Sequence, residues 1–223
     1  MSLAKVYLQV SLLFFASPLF AGAEPFSSDV EKFSYSIGIN IAHDLKGQGV
    51  EEIDSEALAK ALESYLKGDE LLLSRDEAAQ ILKSELIKHR KALDESILQK
   101  SEAWLFANSM EEGVVVTESG LQYRVISEGQ GTQPTLQDKV KVNYVGSLTD
   151  GQVIDQSAEP VTFSPDQVIP GWQEGLQLMK EGAKYQFFVH PKLAYAAQGR
   201  ITPNNINVNN ALIFEVELVA VNP

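Results

Sequence analysis

Aromatic side chains are the residues of this sequence whose spacing suggests a binding surface. Trp172 stands at the start of a short predicted helix and forms, with Leu176 and Met179, an i, i+4, i+7 stripe on one helical face. Tyr144 and Phe214 each lie on the apolar face of a predicted strand, where residues alternate, so both side chains should point toward that helix. Taken alone, these rings could form either a plain core or the walls of an apolar pocket.

Patterns for nucleophilic, metal-assisted or nucleotide chemistry are missing from the sequence. The chain has no cysteine, and His43, His89 and His190 are isolated, without the spacing of metal ligands. No serine lies in a G-x-S-x-G turn, and no G-x-x-x-x-G-K-[ST] phosphate loop occurs. The sequence therefore predicts neither a metal ion nor a cofactor.

The charge balance excludes two classes of partner. The formal net charge is −12, and residues 24–112 carry 19 acidic against 10 basic side chains. Nucleic acids and anionic lipid surfaces both require basic patches, so we expect neither as a partner. No apolar stretch reaches the roughly 20 residues of a membrane-spanning helix, and the sequence predicts no membrane span.

Residues 1–23 match the pattern of a secretory signal peptide. Lys5 supplies the positive start, a short apolar run follows, and residues 21–23 read Ala-Gly-Ala, a small-residue cleavage pattern. The alternative is a first buried helix. We expect cleavage near Ala23 and export to the periplasm or the outer cell surface, where a chain without disulfides must rely on core burial.

Residues 24–112 are predicted to be helical throughout. The first helix opens at Ser28 with capping-box spacing, the second opens near Asp54, and the third opens at Ser74. No proline or glycine interrupts the third before Gly113, which predicts a helix of roughly 35 residues, about 50 Å long.

The middle of this long helix, residues 88–102, is mostly charged, and we interpret it as an exposed stalk. The two shorter helices carry apolar stripes that one chain is too small to cover. This favours an intertwined homodimer through residues 24–112, in which each chain covers the stripes of the other. A monomeric three-helix cap on the second domain is the alternative.

Residues 113–223 change to the two-residue period of strands. Alternation predicts strands in 121–129, 138–148, 183–190 and 211–221, with an Asp-Gly turn before Val153 and one short helix from Gly171 to about Lys180. Antiparallel strands with a single short helix predict an α+β domain whose sheet half-wraps that helix.

These segments resemble the FKBP-type peptidyl-prolyl cis–trans isomerases. The resemblance rests on "VKVNYVGSLTDGQVIDQS", "VIPGWQEGLQLMKEGAKYQFFVHP", "LAYAAQG" and "ALIFEVELV", in that order. The helical half is similar to the Mip-like (macrophage infectivity potentiator) branch at "KFSYSIGINIAHDL" and "TESGLQYRVI". The resemblance implies an FKBP-like antiparallel half-barrel at 113–223, after a signal peptide at 1–23 and a helical dimerisation domain at 24–112.

The resemblance also implies the residues of the site. Those expected to be catalytic are Tyr144, Asp155, Trp172, Tyr195 and Phe214, and those expected to bind substrate are Ile154, Val161, Phe163, Val168, Ile169 and Ile206. Trp172 would form the floor of a pocket for a proline ring, and Tyr195 would donate a hydrogen bond to a substrate carbonyl. Asp155 would be the pocket carboxylate; alternatively it caps the turn after Asp150. Ile154 and Val161 stand where the family usually has aromatic side chains.

The implied activity is rotation of X-Pro peptide bonds in proline-containing unfolded or folding polypeptides. A periplasmic holdase chaperone with weak or no isomerase activity is the alternative, since an apolar dimer could hold an unfolded chain without catalysis. A structural stalk at the cell surface is a third reading, supported only by the long helix and the signal pattern.

Overall fold

Four α-helices and seven β-strands make up the described part of the chain, residues 25–198 and 206–223 of a computed structural model. The helices are α1 Asp29–Gly47, α2 Ser55–Lys67, α3 Arg75–Asn108 and α4 Pro170–Leu178. The strands are β1 Val114–Val116, β2 Gln122–Ser127, β3 Val140–Leu148, β4 Val153–Gln156, β5 Val161–Phe163, β6 Lys184–Val189 and β7 Leu212–Val221. The predicted signal peptide lies outside the described residues. Within them, no helix combines the length and apolar character needed to cross a bilayer.

Side-chain caps set the starts of α2 and α3 where the sequence predicts them. The Asp54 carboxylate accepts the first free N–H groups of α2, and Gly68 ends that helix at φ 75°, a left-handed conformation that favours glycine. At α3, the hydroxyl of Ser74 accepts the N–H of Glu77, whose carboxylate accepts the N–H of Ser74 in return.

The capping of α1 is displaced by one residue from the predicted box. Ser28 accepts the N–H of Glu31 at 3.2 Å, as predicted, but the Glu31 carboxylate binds the backbone N–H and hydroxyl of Ser27, both at 2.6 Å. These hydrogen bonds lower the pKa of Glu31. Most of α1 belongs to a unit that ends at Asp44, and Leu45–Pro223 form a second unit with the sheet and the other helices.

Helix α3 spans 34 residues, which confirms the predicted long helix. The prediction that its middle is an exposed stalk is right for Arg90 and Lys91 but wrong further along. From Leu93 onward one face of α3 is partly covered, and Ser101 and Leu105 are buried. Charge content alone did not reveal this face, because polar as well as apolar residues line it.

The last turns of α3 pack on the outer face of the sheet. The Trp104 ring meets that of Phe188 with centroids 5.8 Å apart, and Leu105 is buried in the same small cluster. The Asn108 side chain donates to Gln122 Oε1 at 2.8 Å, and Gln122 Nε2 donates to the carbonyl of Leu105 at 2.9 Å. The long helix is therefore fixed to the sheet by apolar and polar contacts together.

The strands form one antiparallel sheet in the order β1-β2-β6-β7-β3-β4, with β5 also paired to β3. Alternation along β7 buries Phe214 and Val216 on the inner face and leaves Glu217 exposed, as predicted. The three-residue strands β1 and β5 were not predicted. The α+β class, with a sheet half-wrapped around a short helix, is confirmed.

Two glycines bring α4 unusually close to the inner face of β6. A Cβ at Gly171 would lie 2.7 Å from Val189 Cγ1, and a Cβ at Gly175 would lie 2.7 Å from the ring of Phe187. Gly171 and Gly175 are one helical turn apart, and Val189 and Phe187 share one face of β6, so the two elements meet backbone against side chain. The Trp172, Leu176 and Met179 stripe is consequently buried.

This close approach predicts a stability cost for any side chain at Gly175. We expect Gly175→Ala to lower the free energy of unfolding by about 1–3 kcal/mol, because its methyl group would overlap the Phe187 ring. Urea denaturation measures the change. Gly47→Ala is the matched control, since a Cβ there meets nothing within 4 Å, and we expect a change within about 0.5 kcal/mol. Equal effects of the two substitutions would contradict the packing argument.

Candidate functional site

A cavity of about 180 Å³ opens at the start of α4, between that helix and the inner face of the sheet. It contains every residue predicted to be catalytic and three of those predicted to bind substrate. Its walls are formed by Tyr144, Asp155, Phe163, Gln167, Val168, Ile169, Trp172, Tyr195 and Phe214. Its lining is mainly aromatic, with one carboxylate.

Three aromatic rings stand edge-on to the indole of Trp172. The centroid distances are 5.2 Å to Tyr144, 5.9 Å to Phe163 and 5.3 Å to Phe214, with interplanar angles of 87°, 82° and 90°. Such edge-to-face contacts place the positive ring edge against the negative ring face and stabilise the arrangement. Trp172 is only 4% exposed, yet it lines the cavity, so the indole is held rigidly at an opening rather than sealed in the core.

The indole N–H of Trp172 is buried without a hydrogen-bond acceptor among the described residues. An unsatisfied buried donor costs about 1–3 kcal/mol. Phenylalanine would fill much of the same space without this cost. The position therefore uses the large flat surface of the indole rather than its hydrogen bond.

Gly146 provides the space in which Phe214 reaches the cavity. In the sheet register Gly146 lies between Phe214 on β7 and Asp155 on β4. A Cβ at Gly146 would lie 2.6 Å from the Phe214 ring, so the ring lies over the glycine. Phe214 and Asp155 are thus neighbours on the same inner face.

Asp155 is held by a hydrogen bond from Tyr144. The Tyr144 hydroxyl donates to Asp155 Oδ2 at 2.8 Å. Burial raises the pKa of Tyr144 well above its ordinary value, and the hydrogen bond and negative charge of Asp155 raise it further. Tyr144 therefore stays a neutral donor. The alternative that Asp155 caps the neighbouring turn is not observed, because Asp150 Oδ1 accepts the N–H of Gln152 there at 2.9 Å.

A β-bulge explains how Ile154 and Asp155, adjacent in sequence, both face inward. The β3–β4 register shifts between Gly146 and Ser147, which pair with Asp155 and Val153 and leave Ile154 as the extra residue. Ile154 is buried in the core, and Asp155 lines the cavity. Simple alternation would have placed the two side chains on opposite faces.

Tyr195 reaches the cavity from two short 3₁₀ turns that follow β6, Pro191–Leu193 and Tyr195–Gln198. His190 caps the first turn, since its Nδ1 accepts the N–H of Lys192 at 3.0 Å. Ala194, between the turns, is fully buried. The tyrosine is therefore placed by a capped and anchored segment.

Comparison with known proteins identifies the family. Residues 130–219 match the family described as FKBP-type peptidyl-prolyl cis-trans isomerase, and residues 30–125 match the domain amino terminal to FKBP-type peptidyl-prolyl isomerase. Over 209 residues the chain is 37% identical to the outer membrane protein MIP of Legionella longbeachae, covering 89% of this chain and 88% of that protein. The chain belongs to the FKBP-type peptidyl-prolyl cis–trans isomerases.

Two further relatives of this FKBP-type isomerase span most of its length. A probable FkpA isomerase of Neisseria meningitidis serogroup B is 37% identical over 207 residues, covering 87% of this chain and 75% of that protein. The crystal structure of FkpA from Escherichia coli matches with a TM-score of 0.65 at 31% identity, covering 89% of this chain and 99% of that chain. The resemblance found in the sequence, including its Mip-like character, is confirmed.

Three of the residues predicted to bind substrate do not line the cavity of this isomerase. Ile154 is in the core, and Ile206 lies in a neighbouring space beside Tyr195. Val161 pairs with Val142, so it is on the inner side of the sheet, but it is 39% exposed and does not line the cavity. Gln167 was missed; its position next to Val168 was the available signal.

The described residues contain no group of three or more His, Cys, Asp or Glu side chains suited to holding a metal ion. Asp155 is bound to a tyrosine hydroxyl, and the remaining walls of the cavity are aromatic, aliphatic or amide side chains. The chemistry available to these residues is burial of an apolar ring and hydrogen bonding.

His190, which caps the segment leading to Tyr195, predicts a pH dependence of stability. Burial lowers its pKa below the ordinary 6.5 and Lys192 adds to this effect, while Glu102 opposes both. The unfolded chain therefore binds a proton at higher pH than the folded chain, so this contribution to stability is lost as the pH falls through about 6.5 and below.

We expect His190→Asn, whose side-chain oxygen can still accept the Lys192 N–H but cannot ionise, to remove part of this loss. The measurement is urea denaturation of both chains at about pH 7.5 and about pH 5. The unaltered chain should lose more unfolding free energy between the two conditions. The same loss in both chains would show that His190 does not contribute.

Proposed function

We propose that the chain is an exported peptidyl-prolyl cis–trans isomerase that assists folding by rotating X-Pro bonds in the cavity at Trp172. The observation that carries this proposal is the indole at an open cavity, with three rings edge-on to it and a carboxylate fixed at one wall. Residues 113–223 would form the catalytic domain and residues 24–112 the helical dimerisation domain.

The proposed chemistry is a change of environment rather than bond making. Rotation about a peptide bond has a barrier of about 18–20 kcal/mol, because amide resonance gives the C–N bond partial double-bond character. That resonance separates charge, and water stabilises the planar form. An aromatic cavity solvates the separated charge poorly, so the planar form loses part of its advantage over the twisted one. A relative stabilisation of about 5–6 kcal/mol would accelerate rotation roughly 10⁴-fold.

Each wall of the cavity has a part in this proposal. Trp172 would form the floor on which the proline ring lies, with Phe163 and Phe214 beside it. Tyr195 would donate to a substrate carbonyl. Asp155, bound by the Tyr144 hydroxyl, would keep that ring in place and put negative charge next to the amide carbonyl.

The volume of the cavity fits a single side chain. Drug-sized ligands occupy cavities of roughly 300–1,000 Å³. This comparison supports a proline ring as the group that enters, with the neighbouring substrate residues left at the rim.

The test is a protease-free isomerase assay on proline-containing tetrapeptides. We expect catalysis above the spontaneous rate, and a loss of about tenfold in kcat/KM for Trp172→Leu, equivalent to about 1.4 kcal/mol of lost transition-state stabilisation. Trp104→Phe is the matched control, because Trp104 belongs to α3 and packs on Phe188 at the outer face of the sheet, away from the cavity. A rate equal to the spontaneous one in the unaltered chain would refute the enzyme proposal.

A second candidate function, holding unfolded chains without catalysis, is favoured by the exposed apolar side chains of the helices. The isomerase variant separates the two functions. If Trp172→Leu lowers kcat/KM but leaves suppression of client aggregation unchanged, the holding function resides outside the cavity. If both are lost together, a single site at the cavity serves both.

Those apolar side chains also support a homodimer through α1, α2 and the first half of α3. Two apolar grooves of about 830 and 640 Å³ follow α3 and α2. Many large apolar side chains of the helices are exposed in the single chain, among them Phe33, Ile37, Leu58, Leu62, Leu66, Leu72, Ile81 and Leu82. Exposed apolar area of this extent is unusual for a monomer and typical of an interface.

We expect the protein without residues 1–23 to sediment as a dimer, and Leu82→Asp to sediment as a monomer. Leu82 is 56% exposed in the single chain and lines the larger groove, so a buried carboxylate there would oppose association. Phe106→Asp is the matched control: Phe106 is exposed on the same helix but outside both grooves. It should remain dimeric. A monomeric unaltered protein at micromolar concentration would overturn the proposed dimer.

Export to the periplasm is part of the proposal. It is supported by the signal pattern at residues 1–23, by the absence of cysteine from the chain, and by the name of one relative, an outer membrane protein.

A further inference from the structure

The segment 206–211, which precedes β7, is bound by the side of α3. The Ser101 hydroxyl donates to the carbonyl of Asn209 and accepts the N–H of Ala211, both at 2.9 Å. Ser101 is only 5% exposed, although it lies in a helix with a mostly charged sequence. One side chain of the helix therefore satisfies two backbone groups of the segment.

A second hydrogen bond reaches the same segment from two turns earlier in α3. Asn207 Nδ2 donates to Asp94 Oδ1 at 2.5 Å. The other atom of that amide, Asn207 Oδ1, accepts the N–H of Asn209 at 2.9 Å and folds the segment on itself. Arg90 approaches the same carboxylate oxygen of Asp94 at 3.3 Å.

This segment forms part of the surroundings of Tyr195. Ile206, Asn207 and Leu212 enclose a small space together with the tyrosine. Beyond Ala211 the chain enters β7, where Leu212 packs in the inner core and Phe214 lines the cavity. Only two residues separate Ala211, whose backbone N–H is held by Ser101, from Phe214 in the cavity wall.

We propose that Asp94 and Ser101 are positioning residues that hold the Tyr195 side of the cavity and so determine which residue is accepted next to proline. The inference rests on the proposed isomerase function. Because the cavity has room for little more than the proline ring, the neighbouring substrate residue must lie at its rim. On the Tyr195 side, that rim is next to the segment that the two α3 side chains hold.

Attachment of the helix to the sheet does not explain these hydrogen bonds. Trp104, Leu105 and Asn108 already fix α3 to the outer face of β2 and β6. Asp94 and Ser101 instead bind three groups of the segment: the side-chain amide of Asn207, the carbonyl of Asn209 and the N–H of Ala211. Hydrogen bonds are directional, so they fix the position of the segment as well as its proximity.

The test uses the full-length protein and kcat/KM for tetrapeptides that differ only in the residue before proline. The ratio to compare is kcat/KM for the leucine peptide over kcat/KM for the alanine peptide. We expect Ser101→Ala and Asp94→Ala to bring this ratio at least about threefold closer to one, because a loosened rim discriminates less between the two residues. Asp94→Asn keeps an acceptor for Asn207 Nδ2 and should keep the unaltered ratio, although it loses the charge that Arg90 approaches. Ser109→Ala is the matched control, since that hydroxyl binds a carbonyl of its own helix.

An exchange of partners separates positioning from a merely structural role. Asn207→Asp keeps the acceptor for the Asn209 N–H but puts a second carboxylate against Asp94, and it should change the ratio. Combining it with Asp94→Asn restores a donor and an acceptor across the same gap and should restore the ratio. Urea denaturation of each variant shows whether the fold is intact. If Ser101→Ala does not fold, Asp94, whose side chain is 35% exposed, carries the same test.

The outcomes distinguish the two proposals. Unaltered peptide ratios in folded, active Ser101→Ala and Asp94→Ala chains would overturn the positioning role and leave the isomerase function standing. A changed ratio that the exchanged pair fails to restore would also overturn it. An unaltered chain without isomerase activity would overturn the proposed function, and this inference with it.

Discussion

The site depends on how closely α4 can approach β6. Trp172 meets three rings of the sheet only because Gly171 and Gly175 let the helix backbone lie directly on Val189 and Phe187. A helix held further out by two methyl groups would carry the indole with it, and edge contacts at 5–6 Å between centroids would open. Protein interiors are packed too densely to absorb such a shift without cost. The shape of the cavity is therefore set by two residues that contribute no side chain to it.

Local signals in the sequence were enough to place most elements. Both ends of α2 follow from Asp54 and Gly68, and the start of α3 follows from Ser74, because these caps act within a few residues. Alternation in β3 and β7 likewise predicted that Tyr144 and Phe214 face the helix, because a half-buried strand must repeat every two residues. The strands β1 and β5 were not predicted, because three residues are too few to show alternation. The pairing of β1 with β2 and of β5 with β3 is also not visible in such short segments.

Strand register depends on distant residues, and it explains a feature of the site that periodicity in the sequence could not show. The bulge that turns Ile154 and Asp155 to the same side arises in the pairing of β4 with β3, and periodicity in the "VID" stretch contains no sign of it. Only the family resemblance pointed to both residues. It also carried Val161 into the site, although this side chain is 39% exposed and does not line the cavity. The resemblance therefore indicates which positions lie near the cavity, but the local packing of each side chain decides whether it lines the wall.

The second half of α3 shows why charge content is a poor guide to burial. Residues 88–102 look like a solvated surface, yet one face of this stretch meets the backbone of a loop rather than an apolar core. A loop backbone that is covered by another element needs hydrogen-bond partners, because its N–H and C=O groups lose water. Ser101 supplies both a donor and an acceptor, which no apolar side chain could do. Polar residues at that face are thus what a helix needs to bury a loop, and the long helix is coupled through them to the residues around Tyr195.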